Sequence, residues 1–129
     1  MKADDIGSRP KIVCLSGSAR FMDVWMDAYI KESMKGRIVL TIAGDCKVRS
    51  DYEQVKPVLD LMYRHKIEMA DELLVLNVGG YIGESTKNEI AYARSLGKKV
   101  RWLEHNIPIW KRVLNKVRGK LPDVNSSSQ

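Results

Sequence analysis

A chain of 129 residues, 44% of them hydrophobic and 29% charged, has the length of one domain and the apolar content for a real core. It holds no run approaching the roughly 18 to 20 apolar residues needed to span a bilayer, and its opening Met1-Lys2-Ala3-Asp4-Asp5 reads as too polar and acidic for a signal peptide. Two cysteines make no disulfide framework and read as reduced thiols of a cytoplasmic protein, while the net charge of +6 is gathered near the C-terminus. There Lys111, Arg112, Lys116, Arg118 and Lys120 stand with no acid among them. A solvated helix face accounts for them; a phosphate or nucleic-acid footprint would want aromatic interleaving or a known motif, and neither is present.

In chain order, residues 1–10 read as a flexible leader ending at Pro10. Lys11-Ile12-Val13-Cys14-Leu15 is a short apolar run, expected as a buried strand that stops at Ser16-Gly17-Ser18. Phe21, Trp25, Ala28 and Tyr29 follow at helical spacing, closed by Gly36. Residues 37–42 predict a second strand and 43–52 a polar loop. Val55, Leu59, Met62, Ile67 and Ala70 predict a long second helix that tolerates Pro57 in its first turns. Residues 72–77 predict a third strand, 86–96 a third helix closed by Gly97, and 99–103 a fourth strand. Trp110, Val113, Leu114 and Val117 predict a last amphipathic helix, and residues 119–129 a disordered tail.

Strands alternating with helices imply an α/β fold. The expectation is one domain over residues 11–118, a three-layer sandwich with a parallel, flavodoxin- or Rossmann-like sheet of four to five strands in the order 2-1-3-4. The strands are near-continuous apolar runs, as strands covered on both faces should be. Ligands of such sheets bind outside the carboxyl ends of the strands, at the switch point of strand order.

Two loops lie there. In Ser16-Gly17-Ser18-Ala19-Arg20, small residues let backbone N–H groups approach an anion at a helix amino end, with Arg20 as a charged fork; the same residues equally suit a plain helix cap. The second loop runs from Asn77 through Gly79, Gly80 and Gly83 to Ser85 and Thr86, and leads to Glu89 in the first turn of the next helix. A carboxylate there can be a nucleophile or base. Thr86 followed three residues later by Glu89 is also a capping box, which spacing alone slightly favours. His65 and His105 have no partners at metal-ligand spacing, and no metal or cofactor is expected. The Gly-x-Ser-x-Gly elbow, the phosphate-loop lysine motif and the full dinucleotide fingerprint are all missing.

Three stretches carry a family resemblance: Gly17-Ser18-Ala19-Arg20 after the first strand, Ala70-Asp71-Glu72-Leu73-Leu74-Val75 leading into the third, and Asn88-Glu89-Ile90-Ala91-Tyr92-Ala93 with Gly97-Lys98 in the third helix. Over roughly residues 11–104 the chain resembles the nucleoside 2-deoxyribosyltransferase superfamily, including its deoxynucleoside 5′-monophosphate N-hydrolase branch. The resemblance implies a Glu nucleophile at Glu89 that attacks the anomeric carbon of a (deoxy)ribose, expels the base and forms a glycosyl-enzyme ester. The positive end of the third helix would keep that carboxylate ionised. Ser16, Gly17, Ser18, Arg20, Asn77, Gly79, Gly83, Ser85, Thr86 and Tyr63 would bind the nucleoside or nucleotide, and a homodimer or larger homo-oligomer is implied. Trp25 or Tyr29 are candidate subunit contacts, although core packing is the commoner role of such residues.

The chain departs from the family pattern at three positions. Tyr63 stands where the family has a helix carboxylate, with Asp60 one turn earlier. Cys14 replaces a Tyr. Gly83, beside Glu84, aligns with the transferase's loop Asp. Glu84 and then Asp60 are the candidate general acids, while Asp71, at the wrong end of its strand, reads as structural. The alternative expectation is a non-catalytic nucleotide-binding module of the same fold.

Overall fold

The computed structural model describes residues 9–42 and 46–105. The leader as far as residue 8, the expected last helix and the expected tail lie outside the described residues. Four strands, β1 (Ile12–Gly17), β2 (Ile38–Leu40), β3 (Glu72–Leu76) and β4 (Lys99–Trp102), alternate with α1 (Met22–Met34), α2 (Tyr52–Met69) and α3 (Glu84–Ser95). All strand pairs are parallel and the order is β2-β1-β3-β4, the expected 2-1-3-4. The chain turns one way from β1 to β2 and the other way from β3 to β4. The switch point therefore lies between the carboxyl ends of β1 and β3.

Helix α1 packs on β1 and β2, whereas α2 and α3 pack on each other and on the strands from the opposite face. The register sorts the strand side chains. Val13, Leu15, Leu74 and Leu76 share the α1 face, while Cys14, Ser16, Leu73 and Val75 share the α2–α3 face. Every one of these is buried, as a parallel sheet covered on both sides requires. Trp25 and Ala28 seal the core from α1, Tyr63 and Ile67 from α2, and Ile90 and Ala93 from α3. Trp25 is thus a core residue, whereas Tyr29 is exposed.

Several boundaries differ from expectation. β1 runs on through Ser16 and Gly17, which pair with Val75 and Leu76 instead of forming the turn. Gly17 allows that continuation, because a Cβ there would lie 3.0 Å from Leu76 Cβ and 3.2 Å from Leu76 O. α2 starts at Tyr52 and keeps Pro57 inside it. α3 starts at Glu84, two residues early, with Gly83 as its N-cap. Thr86 is consequently a buried residue within the helix, and Glu89 lies in the second turn.

The amino end of the sheet is closed by charge. Asp71 accepts the Ile12 N–H at 2.8 Å and pairs with Arg9 at 2.9 Å, the structural role expected of it. Beneath α1, Arg101 of β4 donates to Glu72 of β3 at 2.6 Å and to Glu32 of α1. Arg37 donates to Glu32 at 2.7 Å, and Lys11 approaches Glu72 at 3.5 Å. Both carboxylates are buried, and both are paired, which is what makes their burial tolerable.

Candidate active site

At the carboxyl end, Ser16 points from β1 toward α3. Its hydroxyl, fully buried, donates to Glu89 Oε1 at 2.5 Å. That contact replaces the capping box: Glu89 reaches across to β1 and makes no cap with Thr86, because the helix begins at Glu84. The Glu89 carboxylate opens into a cavity of about 380 Å³. The cavity is bounded by the β1–α1 loop, the amino end of α3, the face of α2 and the segment after β2. A second groove between α2 and α3, of about 450 Å³, shares Asp60, Tyr63, Ser85 and Glu89 with it.

Gly17, Ser18, Gly83, Ser85 and Thr86 line the main cavity, as do Tyr63, Asp60, Glu84 and Glu89. The first loop is pinned by Trp25, whose indole N–H donates to Ser18 O at 2.9 Å, and Ser18 Oγ in turn accepts the Arg20 N–H at 3.3 Å. Three expected ligand residues are engaged elsewhere. The Arg20 guanidinium lies over the Tyr81 ring, 5.7 Å from its centroid, and does not line the cavity. The Asn77 amide exchanges hydrogen bonds with the Glu104 backbone at 3.0 and 2.9 Å, and the Gly79 N–H donates to the Glu104 carboxylate at 2.8 Å. Asn77 and Gly79 thus tie the end of β3 to the segment after β4. Gly79 takes its positive φ of 59° in making that turn.

The electrostatics centre on Glu89. Burial pushes its carboxyl from the ordinary 4.5 up to about 7; the Ser16 hydrogen bond opposes the rise and the charge of Asp60 adds to it. Among the described residues no cation stands within ion-pair distance of Glu89. The expectation that the helix end keeps it ionised is therefore corrected: desolvation dominates, and the carboxyl titrates near neutrality. Burial, reinforced by Glu89, pushes the neighbouring Cys14 thiol up to about 12, which leaves it an inert core residue. Tyr63, its phenol raised well above the usual range by burial, donates to Leu15 O and so braces β1 against α2.

The two candidate general acids stand differently. The side chain of Glu84 is 84% exposed and pairs with Lys87 at 3.3 Å. That of Asp60 is 66% exposed and pairs with Lys56 at 2.9 Å. Both sit at the rim, in water, each with its own lysine.

No protein-family model, curated protein or solved structure matches the chain. The site accordingly rests on its own geometry. Among the described residues no group of three His, Cys, Asp or Glu side chains is placed to hold a metal ion, and no helix is long and apolar enough to cross a membrane.

Sequence reasoning missed the wall of the cavity opposite the loops. Ile42, Tyr52, Leu59 and Met62 give it an apolar surface, and Lys47 and Lys66 give it two cations. Leu59 and Met62 enter the sequence pattern only through their helical spacing, and Lys66 does not enter it at all. The one signal is its position a turn after Tyr63.

Proposed function

We propose that this chain cleaves the N-glycosidic bond of a nucleoside or nucleotide, with Glu89 as the nucleophile. The observation that carries the reading is a half-buried carboxylate, held by one hydroxyl and lacking a counter-cation among the described residues, that faces a cavity large enough for a sugar and a base. Such an anion is costly in the free protein. A sugar that develops positive charge at its anomeric carbon supplies the missing counter-charge, so the interaction strengthens on the way to the transition state. The Glu89 oxygen bonds to that carbon as the bond to the base breaks, and water or a second base resolves the ester. The resemblance of Gly17–Arg20 and Asn88–Ala93 to the nucleoside 2-deoxyribosyltransferase superfamily supports the same reading.

Ser18, Ser85 and the amino end of α3 form the side of the cavity suited to a 5′-phosphate. The apolar wall of Ile42, Leu59 and Met62 suits the flat face of a base. The exposed Met26, Ile30 and Met34 of α1, and Val58 and Leu61 of α2, support a homo-oligomer assembled through one of these helices. The free thiols of Cys14 and Cys46 support a cytoplasmic setting.

A panel of nucleosides and 5′-nucleotides, assayed by chromatography, should yield free base from at least one member. Glu89→Gln should lower that release by at least about 1000-fold. Release unchanged in Glu89→Gln removes Glu89 from the role. Calorimetric binding of a nucleotide with no product from any member favours the second reading, a nucleotide-binding module without catalysis. The exposure of Glu84 and Asp60 is the observation in that reading's favour.

A further inference from the structure

Cleavage of an N-glycosidic bond sends the bonding electron pair to the base, which leaves as an anion unless something donates to it. With Glu84 and Asp60 in solvent at the rim, the described carboxylates provide no group inside the cavity for this task. The α2 wall does. Lys66 is half-buried and lines the cavity with Glu89. Its ammonium donates to Thr41 O at 2.7 Å and lies over the Tyr63 ring, 5.5 Å from the centroid. Those two contacts fix the head group while leaving donors to spare, since an ammonium carries three N–H bonds. Among the described residues no carboxylate stands within ion-pair distance of it. Lys31, Lys56 and Lys87 are ion-paired with carboxylates in solvent, and Lys11 and Lys35 with the buried Glu72 and Glu32. Lys66 instead presents a positive charge to a partly apolar cavity, where a charge acts more strongly than in water.

We infer that Lys66 is the leaving-group residue of the reaction proposed above, hydrogen-bonding a ring carbonyl or ring nitrogen of the base and stabilising the negative charge that arrives there. The inference rests on the glycosidase reading and adds a residue of the α2 wall that lines the same cavity as the nucleophile. In the first step the Glu89 Oε–C1′ bond forms and the C1′–N bond breaks, its electron pair passing to the base. The base anion is held by the Lys66 ammonium until it takes a proton from solvent. In the second step water attacks C1′, the ester bond returns its pair to Glu89, and the water's proton is released. The sum is base–sugar plus water giving free base and free sugar, with no net change in the protein. The arrangement also selects substrates: a base with an acceptor edge is bound, and one with only donors facing Lys66 is not.

The test compares ordinary purine nucleotides with their N7-methylated counterparts, whose base leaves neutral and needs no stabilising cation. Lys66→Met should cut release from the ordinary substrates by at least about 100-fold, the scale of losing one donor aimed at developing charge. It should cut release from the methylated ones by no more than about 10-fold, with Lys66→Arg partly restoring the ordinary rate. Glu89→Gln should abolish both. An equal loss on the two substrate classes in Lys66→Met overturns the inference and leaves the nucleophile standing. In the wild type itself, release rates should depend only weakly on the acidity of the base, and a dependence as steep as that of uncatalysed hydrolysis also overturns it. Absence of release from every substrate by the wild type overturns the glycosidase reading and the inference with it.

Discussion

Two ends of one sheet bury carboxylates in opposite ways. At the amino end, Glu32 loses solvation, yet the guanidiniums of Arg101 and Arg37 outweigh that loss and hold its carboxyl below the usual range. At the carboxyl end, Glu89 is desolvated with only the Ser16 hydroxyl to help, and it rises to about 7. The residue type is the same, and Glu32 is buried where Glu89 is half-buried. The number of cations within reach decides whether a carboxylate is a fixed strut or a reactive group. A paired acid has nothing to gain from a ligand; an unpaired one is stabilised by any positive charge that enters its cavity.

The contrast can be broken from either end. The largest effect belongs to Arg101→Met, which removes the shared cation and leaves the buried Glu72 with only Lys11, at 3.5 Å. Denaturant unfolding should register a loss of about 3 to 5 kcal/mol, and a loss below about 1 kcal/mol would show that the amino-end pairs are ordinary surface bridges.

Glu89→Gln should act in the opposite direction. A carboxyl raised from 4.5 to about 7 binds protons more tightly folded than unfolded. The wild type therefore loses stability as pH climbs from about 4.5 through about 7, and the deficit persists above that. The shift corresponds to a ceiling of about 3 kcal/mol. Glu89→Gln should be more stable than the wild type at pH 8 by up to that amount and equal to it below pH of about 4.5. A variant less stable at pH 8 would place Glu89 among the struts.

The smallest effect sharpens the comparison. Ser16→Ala removes the hydroxyl that favours the ionised form, so the Glu89 titration observed by carboxyl carbon NMR should move upward by about one unit, on the scale of one charge-assisted hydrogen bond. The acid limb of any turnover should move with it. An unmoved titration would show that the hydrogen bond orients the side chain without tuning it.

The fold was legible in the sequence, and of the two carboxylates Glu89 was singled out there, whereas the pairing of Glu32 and Glu72 with Arg101 was not. The strands other than β4 are near-continuous apolar runs, and the helices carry apolar residues at helical spacing, so the alternation of elements and the fold class follow from pattern. The role of Asp71 also follows, from its position at the start of a strand. Ser16 and Gly17 misled because small polar residues after an apolar run resemble a turn. They stay in the sheet because Ser16 satisfies its hydroxyl on Glu89 and Gly17 lets β1 lie against Leu76. Thr86 and Glu89 misled because a capping box is a spacing, and spacing does not reveal that α3 starts at Glu84. Lys66 was illegible because a lone lysine on a helix looks the same whether it faces water or a cavity. What it faces is set by the register of α2 against the segment after β2, a long-range fact.

The central claim is that the unpaired carboxylate forms a bond to the sugar. Its most direct test is mass spectrometry of the protein after incubation with 2′-fluorinated nucleosides and 5′-nucleotides, whose electron-poor sugars slow the hydrolysis of a glycosyl ester. The account predicts a mass increase of one fluorinated sugar, mapped to the peptide containing Glu89 and absent in Glu89→Gln. Base release from the unfluorinated substrates with the added sugar mapped to another residue would contradict it.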